Sequence, residues 1–221
     1  MKTAHIIKSS YSGMMYSRDF QLWYTYLSRR LNQGWSPQDL SFLLGKPDHF
    51  YMDFEKMFQV SKFLSAESLL LDRVYISSEV VPMAFHLEPY EVSTERIVRV
   101  KIEEDDVKWN YTIEIPWRFE LGKKCSAAPL LYMEEWKAEK DLQLESDAMI
   151  HVRGKLDFLL DKKILERGKS SWELFQEVCT TGLSQLTIYP RHLKNCLYTM
   201  IQQGKIVVRN VENRYCFSSI V

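Results

Sequence analysis

The chain has no cysteine pair at C-x-x-C spacing; Cys125, Cys179, Cys196 and Cys216 are far apart. That excludes the usual cysteine-based zinc frameworks and offers no disulfide frame, so reduced thiols and a cytoplasmic location are expected. Its eight glycines form no Walker loop, no dinucleotide-binding fingerprint and no G-x-S-x-G elbow, which removes the common phosphate-cradling and acyl-transfer motifs. No apolar run approaches the ~18 residues of a membrane span. The first ten residues, MKTAHIIKSS, lack the apolar core of a signal peptide. Net charge is absent too, with 29 Lys and Arg against 29 Asp and Glu, which argues against a histone-like polyanion binder.

That balance hides an asymmetry. Residues 1–73 hold 9 basic and 7 acidic side chains, residues 74–152 hold 9 and 16, and residues 153–221 hold 11 and 6. An acidic centre between basic ends points to nucleic-acid contact at the ends. Hydrophobic content of 46% is ample for packed cores.

The most informative stretch is residues 36–55, SPQDLSFLLGKPDHFYMDFE. Ser36 followed by Pro37 is a helix start, a hydroxyl cap with proline at the first helical position. Leu40, Leu43 and Leu44 give that helix an apolar face, and Gly45 can end it in the left-handed conformation. Lys46, Pro47 and Asp48 restart the chain. Phe50, Tyr51 and Phe54 supply the buried side of a second short helix. Two short helices about a glycine turn make a helix-turn-helix.

Ser36, Leu40, Ser41, Gly45, Tyr51, Phe54 and Glu55 fall at the spacing of one family, and the stretch resembles the Cro/phage-repressor (XRE) class of helix-turn-helix. The resemblance implies a five-helix DNA-binding domain, closed by one or two helices after the motif. It implies that the second helix, about residues 48–56, enters the major groove. Its outward residues are then Asp48, His49, Met52 and Asp53. Two carboxylates there face phosphates unfavourably, although aspartate can accept from a cytosine amino group.

Residues 1–17 read as a tail. Phe20, Trp23, Tyr24, Leu27 and Leu31 recur at helical steps, and Trp23 reads as core. After the motif come Met57, Phe58, Val60, Phe63 and Leu64, with Ser65 as a cap before Leu69–Leu71. Near Val74 the character turns β-prone, through Tyr75, Ile76, Val80 and Val81 to Pro82. Val98, Val100 and Ile102 alternate on one face, as do Trp109, Tyr111, Ile113 and Ile115. With Glu103, Glu104, Asp105 and Asp106 between them, they predict a β-hairpin whose acidic tip is a solvated device against edge pairing rather than a metal site. Residues 130–145 fit either a strand running into a polar helix or a linker.

From Arg153 onward, Leu156, Leu159, Leu160 and Ile164 make a helical stripe. Gly168 offers a stop, Ser170 or Ser171 a cap for a helix through Val178 that ends at Gly182. Tyr189 and Pro190 open a further helix with Leu193, Leu197, Met200 and Ile201 inward, ending at Gly204. Residues 206–217 read as a hairpin. Three helices and a hairpin resemble a winged helix in layout.

The expected fold is therefore α+β: a helix-turn-helix domain over residues 18–73, an acidic β-containing middle over 74–152, and a winged-helix-like module over 153–221. The expected function is non-catalytic DNA-binding transcriptional regulation, as a homodimer if half-sites are read. The candidate DNA contacts are Gln38, Lys46, His49 and Met52 in the first module, and Arg191, His192, Lys194, Asn195, Arg209 and Arg214 in the second. Tyr198 joins the outward face of the second helix. The rival is an adaptor that docks a basic protein on Asp48, Asp53 and the acidic centre. His5, His49, His86, His151 and His192 have no partner at ligand spacing, and Glu134 and Glu135 are adjacent, so no catalytic group, metal or cofactor is expected.

Overall fold

A computed structural model describes residues 6–75, 94–117, 130–137, 142–180 and 186–220. Among them are seven helices and seven strands, an α+β composition with all-antiparallel sheets. The chain divides into two compact units that do not follow chain order. The first holds Met1–Gly34 and Met52–Ala138; the second holds Trp35–Tyr51 and Glu139–Val221.

In the first unit, strands β1 (Ile6–Met15), β2 (Arg96–Glu104), β3 (Lys108–Glu114) and β4 (Leu130–Trp136) form one sheet in the order β1-β2-β3-β4. The expected hairpin is β2–β3, with Val100 opposite Ile113 and Ile102 opposite Tyr111. Its tip has a simple cause. Asp105 accepts from the amides of Val107 and Lys108 at 2.9 and 2.8 Å and from Asn110, a side-chain-to-backbone turn. The Val107 amide in particular holds this exposed carboxyl below its ordinary range.

The expected tail is instead β1, paired antiparallel with β2 from Ser10 opposite Lys101 to Met15 opposite Arg96. Its serines and Gly13 gave no hydrophobic alternation to read; the partner strand supplies the order. Gly13 is also forced to be small, because a Cβ there would sit 2.5 Å from Met57 Cβ.

Helices α1 (Ser17–Gln33) and α4 (Val60–Val74) lie in the same unit. Phe20, Trp23, Tyr26 and Leu27 of α1 are buried with Phe63, Leu64 and Leu71 of α4 and with Val98, Val100 and Ile113 of the sheet. Phe54 stacks on Phe63 at 4.2 Å between centroids. Ser65 lies inside α4 and does not start a helix. Val74 ends α4; Ile76, Val80, Val81 and Pro82 lie outside the described residues, as do His5, His86, Cys125 and Gly182.

The second unit is built on α5 (Leu142–Asp161), β5 (Lys169–Ser170), α6 (Ser171–Cys179), α7 (Pro190–Gln202), β6 (Ile206–Val211) and β7 (Arg214–Ser219). Residues 130–145 are thus a strand followed by the start of a helix. That helix begins well before Arg153, because Ala148, Val152, Leu156 and Leu159 bury a continuous stripe. Ser170 caps α6 in a reciprocal box with Glu173. The β6–β7 hairpin turns at Glu212 and Asn213, both at positive φ (50° and 60°), as a two-residue primed turn requires. The two-residue β5 joins β7; it is too short for any periodicity to announce.

The unexpected member of this unit is α2 (Pro37–Leu43). It starts as anticipated: Ser36 Oγ accepts from the Asp39 amide, and Asp39 accepts from the Ser36 amide at 2.8 Å. Residues 17–74 nevertheless do not form one bundle. α2 packs on α6 and α7, Trp35 meets Phe175 edge-on at 5.9 Å, and Phe42 approaches Phe217 at 6.2 Å. α3 (Phe50–Glu55) is shared, its first two residues belonging to the second unit and the rest to the first.

Gly45 sits at φ +67°, and a Cβ there would lie 3.0 Å from the Tyr215 amide nitrogen. Gly45→Ala should therefore destabilise the protein by about 1–3 kcal/mol. At Gly154, in the middle of α5, a Cβ would meet nothing within 4 Å, and alanine should stabilise by about 0.5–1 kcal/mol. Chemical denaturation of the two variants beside the parent measures both signs.

Candidate functional site

Residues read as two separate modules meet in the second unit. Gln38, Lys46 and His49 come from α2 and the turn after it; Arg191, His192, Lys194 and Asn195 from α7; Arg209 and Arg214 from the β6–β7 hairpin. The fastening is local. Ser41, fully buried, donates to the Asp48 carbonyl at 3.0 Å and accepts from the Tyr51 amide at 3.0 Å. The Gly45 carbonyl accepts from the Tyr215 amide at 2.8 Å. These bonds hold the 45–49 turn against β7, and Lys194 Nζ reaches Asp48 Oδ1 at 2.5 Å.

Helix α7 presents Asn195, Tyr198 and Thr199 to solvent, while Leu193, Cys196, Leu197 and Met200 are buried. Arg209 is exposed on β6, and His49 is exposed in the turn. Gln38 and Lys46 are half-buried, and Lys46 Nζ lies 5.2 Å from the centroid of the Phe50 ring. Met52 belongs to the first unit and does not join this group. Asp48 and His49 precede α3, which has only six residues, so the expected reading helix over residues 48–56 is a turn followed by a short helix.

His192 is turned inward, 2% exposed, and is not an outward contact. The Tyr189 amide donates to its Nδ1 at 3.2 Å, so the ring proton lies on Nε2 and points at Glu145 Oε2, 2.7 Å away. Arg191 donates to Glu145 Oε1 at 2.8 Å and covers the Tyr189 ring at 4.0 Å. Against the effect of its own burial, the bonds from Arg191 and His192 hold the Glu145 carboxyl below its ordinary range. No local pattern announces this lock, because Glu145 and α7 are more than forty residues apart. Arg191 and Lys194, two of the helix's expected cations, each hold a carboxylate already. Charge changes in step: the second unit carries 13 Lys and Arg against 12 Asp and Glu, because α2 and the start of α5 bring acids into what reads as a basic third of the chain.

The first unit contains the most buried charge. Arg30, 1% exposed, donates through Nε to Glu55 at 2.5 Å and through one terminal nitrogen to Glu135 at 2.8 Å. Tyr111 donates its hydroxyl to Glu135 at 2.5 Å. Burial works against the charge on Arg30, yet Glu55 and Glu135 hold it well above the ordinary guanidinium value. Burial pushes Glu55 up, opposed by Arg30. Every carboxylate here is engaged, which describes a structural tie rather than a vacant acid–base site. On the outer face of the sheet, an open cleft of about 590 Å³ includes Ser10, Ser12, Arg99, Lys101 and Thr112 in its lining. Arg99 and Lys101 are paired there with Glu114 and Glu103. Among the described residues no group of three or more His, Cys, Asp or Glu is placed to hold a metal, and no helix is long and apolar enough to cross a membrane.

Arg30→Met should cost about 3–5 kcal/mol, because it leaves Glu55 buried without its counter-charge. With the guanidinium gone, the folded state holds a proton on Glu55 that the unfolded chain releases at its ordinary value. Folding then binds protons, and stability falls as pH rises. Denaturant midpoints in mildly acidic and mildly alkaline buffer should show the larger deficit at the alkaline end.

Comparison of the chain with protein-family models, with curated proteins and with solved structures finds no match in any of the three.

Proposed function

We propose that the second unit is a non-catalytic duplex-DNA-binding module, contacting DNA through α7, the β6–β7 hairpin and the 45–49 turn, and that the protein is a transcriptional regulator. The observation that carries this reading is the element order helix, strand, helix, helix, strand, strand, the layout of a winged helix. The grouping of Lys46, His49, Lys194, Asn195, Arg209 and Arg214 within one unit supports it. Asn195 is exposed and can read an adenine edge bidentately; Arg209 can meet phosphate or guanine. A near-neutral unit has little long-range attraction for a polyanion, so binding is modest and falls with salt in proportion to the few phosphates it neutralises.

One observation favours a second reading. Asp48 is well exposed while it holds Lys194, and such a carboxylate suits an adaptor with a basic protein partner. The two readings give different outcomes for one substitution. If α7 meets phosphate, Asp48→Asn releases Lys194 and tightens DNA binding by roughly two- to five-fold. If Asp48 itself meets a basic partner, the same change leaves DNA retention flat.

Fluorescence anisotropy with a mixed-sequence duplex over a salt series reads this directly. Arg209→Ala and Lys194→Ala should each weaken binding and flatten the salt slope by about one unit per lost phosphate contact. Variants that bind as the parent does would remove the module as a DNA reader.

A further inference from the structure

Strand β4 is an edge of the first unit's sheet; among the described residues it pairs only with β3. It is seven residues long, contains no proline, and pairs without a register shift. Natural edges are blunted by proline, bulges or charge, because a flat, apolar edge recruits another strand. The opposite edge, β1, carries a register shift between Ile7 and Ser9. β4 does not, and its outward side chains are large: Leu130, Tyr132 and Trp136 are 46, 70 and 66% exposed.

The two charges on β4 do not act as guards. Glu135 is engaged by Arg30 and by Tyr111. Glu134 is paired with Lys108, whose ammonium also lies 5.1 Å from the centroid of the Trp136 ring. The usual repulsive device is therefore neutralised from within the same sheet. The inward side chains Leu131 and Met133 are only half-buried, as expected where a sheet stops one strand short.

We infer that β4 pairs antiparallel with β4 of a second copy of this chain, centred on Met133, joining two four-stranded sheets into one. The occupant follows from the strand's own order of residues. About Met133, all seven residues overlap. Leu130 lies opposite the second copy's Trp136, Met133 opposite Met133, and Tyr132 opposite Glu134 and diagonal to the other Tyr132. Moving the register by two residues in one direction sets Glu134 against Glu134. Moving it in the other carries Trp136 beyond the strand. Opposite and diagonal cross-strand neighbours decide such pairings, and the main-chain ladder supplies most of the association, as in strand addition generally.

The test uses the full chain. Sedimentation equilibrium from low micromolar to near-millimolar protein should show a reversible monomer–dimer step. Tyr132 is exposed, so its substitution leaves the sheet intact, and circular dichroism checks this. Tyr132→Glu sets like charges on the diagonal and beside Glu134, and should weaken the dimer about tenfold or more. Tyr132→Lys gives each Glu134 an opposite charge across the join and should keep it. A parent that stays monomeric throughout, or a dimer equally strong in the glutamate variant, overturns the inference. Equal weakening by lysine and glutamate overturns the register centred on Met133. None of these outcomes bears on DNA binding by the second unit, which the anisotropy series reads separately.

Discussion

The first unit depends on one guanidinium placed where water cannot reach it. Arg30 sits near the end of α1 and joins Glu55 at the end of α3 to Glu135 on β4. Three elements distant in the chain are fixed by one side chain. A planar group with five donors suits this better than an ammonium, because its fork meets two carboxylates in a fixed geometry. Trp23, which donates to the Glu55 carbonyl at 3.2 Å, closes the same corner. A buried charge network of this kind stabilises little relative to an apolar core, but it admits few alternative arrangements. It ties β4 to α1 and α3.

The second unit depends on a different constraint, the seating of α2 on α6 and α7. Gly45 makes this possible. Its left-handed backbone turns the chain after α2, and its lack of a side chain lets the main chain of β7 approach within hydrogen-bonding distance. The same seating brings Asp48 to Lys194 and adds acids to the neighbourhood of α7. Electrostatics that look favourable to DNA along the sequence are thereby moderated in space. For the DNA-binding role proposed above, this implies a modest contact rather than a strong field.

Local signals in the sequence served well where the physics is local. The Ser36 and Ser170 caps, the Gly45 turn, the β2–β3 hairpin and the burial of Leu193, Leu197 and Met200 are each decided within a few residues. Readings failed where a distant partner decides. β1 has no hydrophobic alternation and is ordered by β2. His192 looks like a surface residue on a helical wheel, yet Glu145 draws it inward. The first half of α5 is polar enough to resemble a linker, and its burial stripe is completed only by packing within the second unit.

By itself, then, the amino-acid order determined most of the helices and hairpins, because caps, turns and periodicity act over one or two turns of chain, while β1 and the start of α5 depend on their partners. It determined the absence of any recognisable catalytic or cofactor motif in the same way. Only the tertiary structure decided which elements share a core, which cations keep their charge available, and which strand ends a sheet. Those outcomes depend on contacts between residues tens of positions apart, such as Arg30 with Glu135 and Lys194 with Asp48, and no short window of sequence contains both partners.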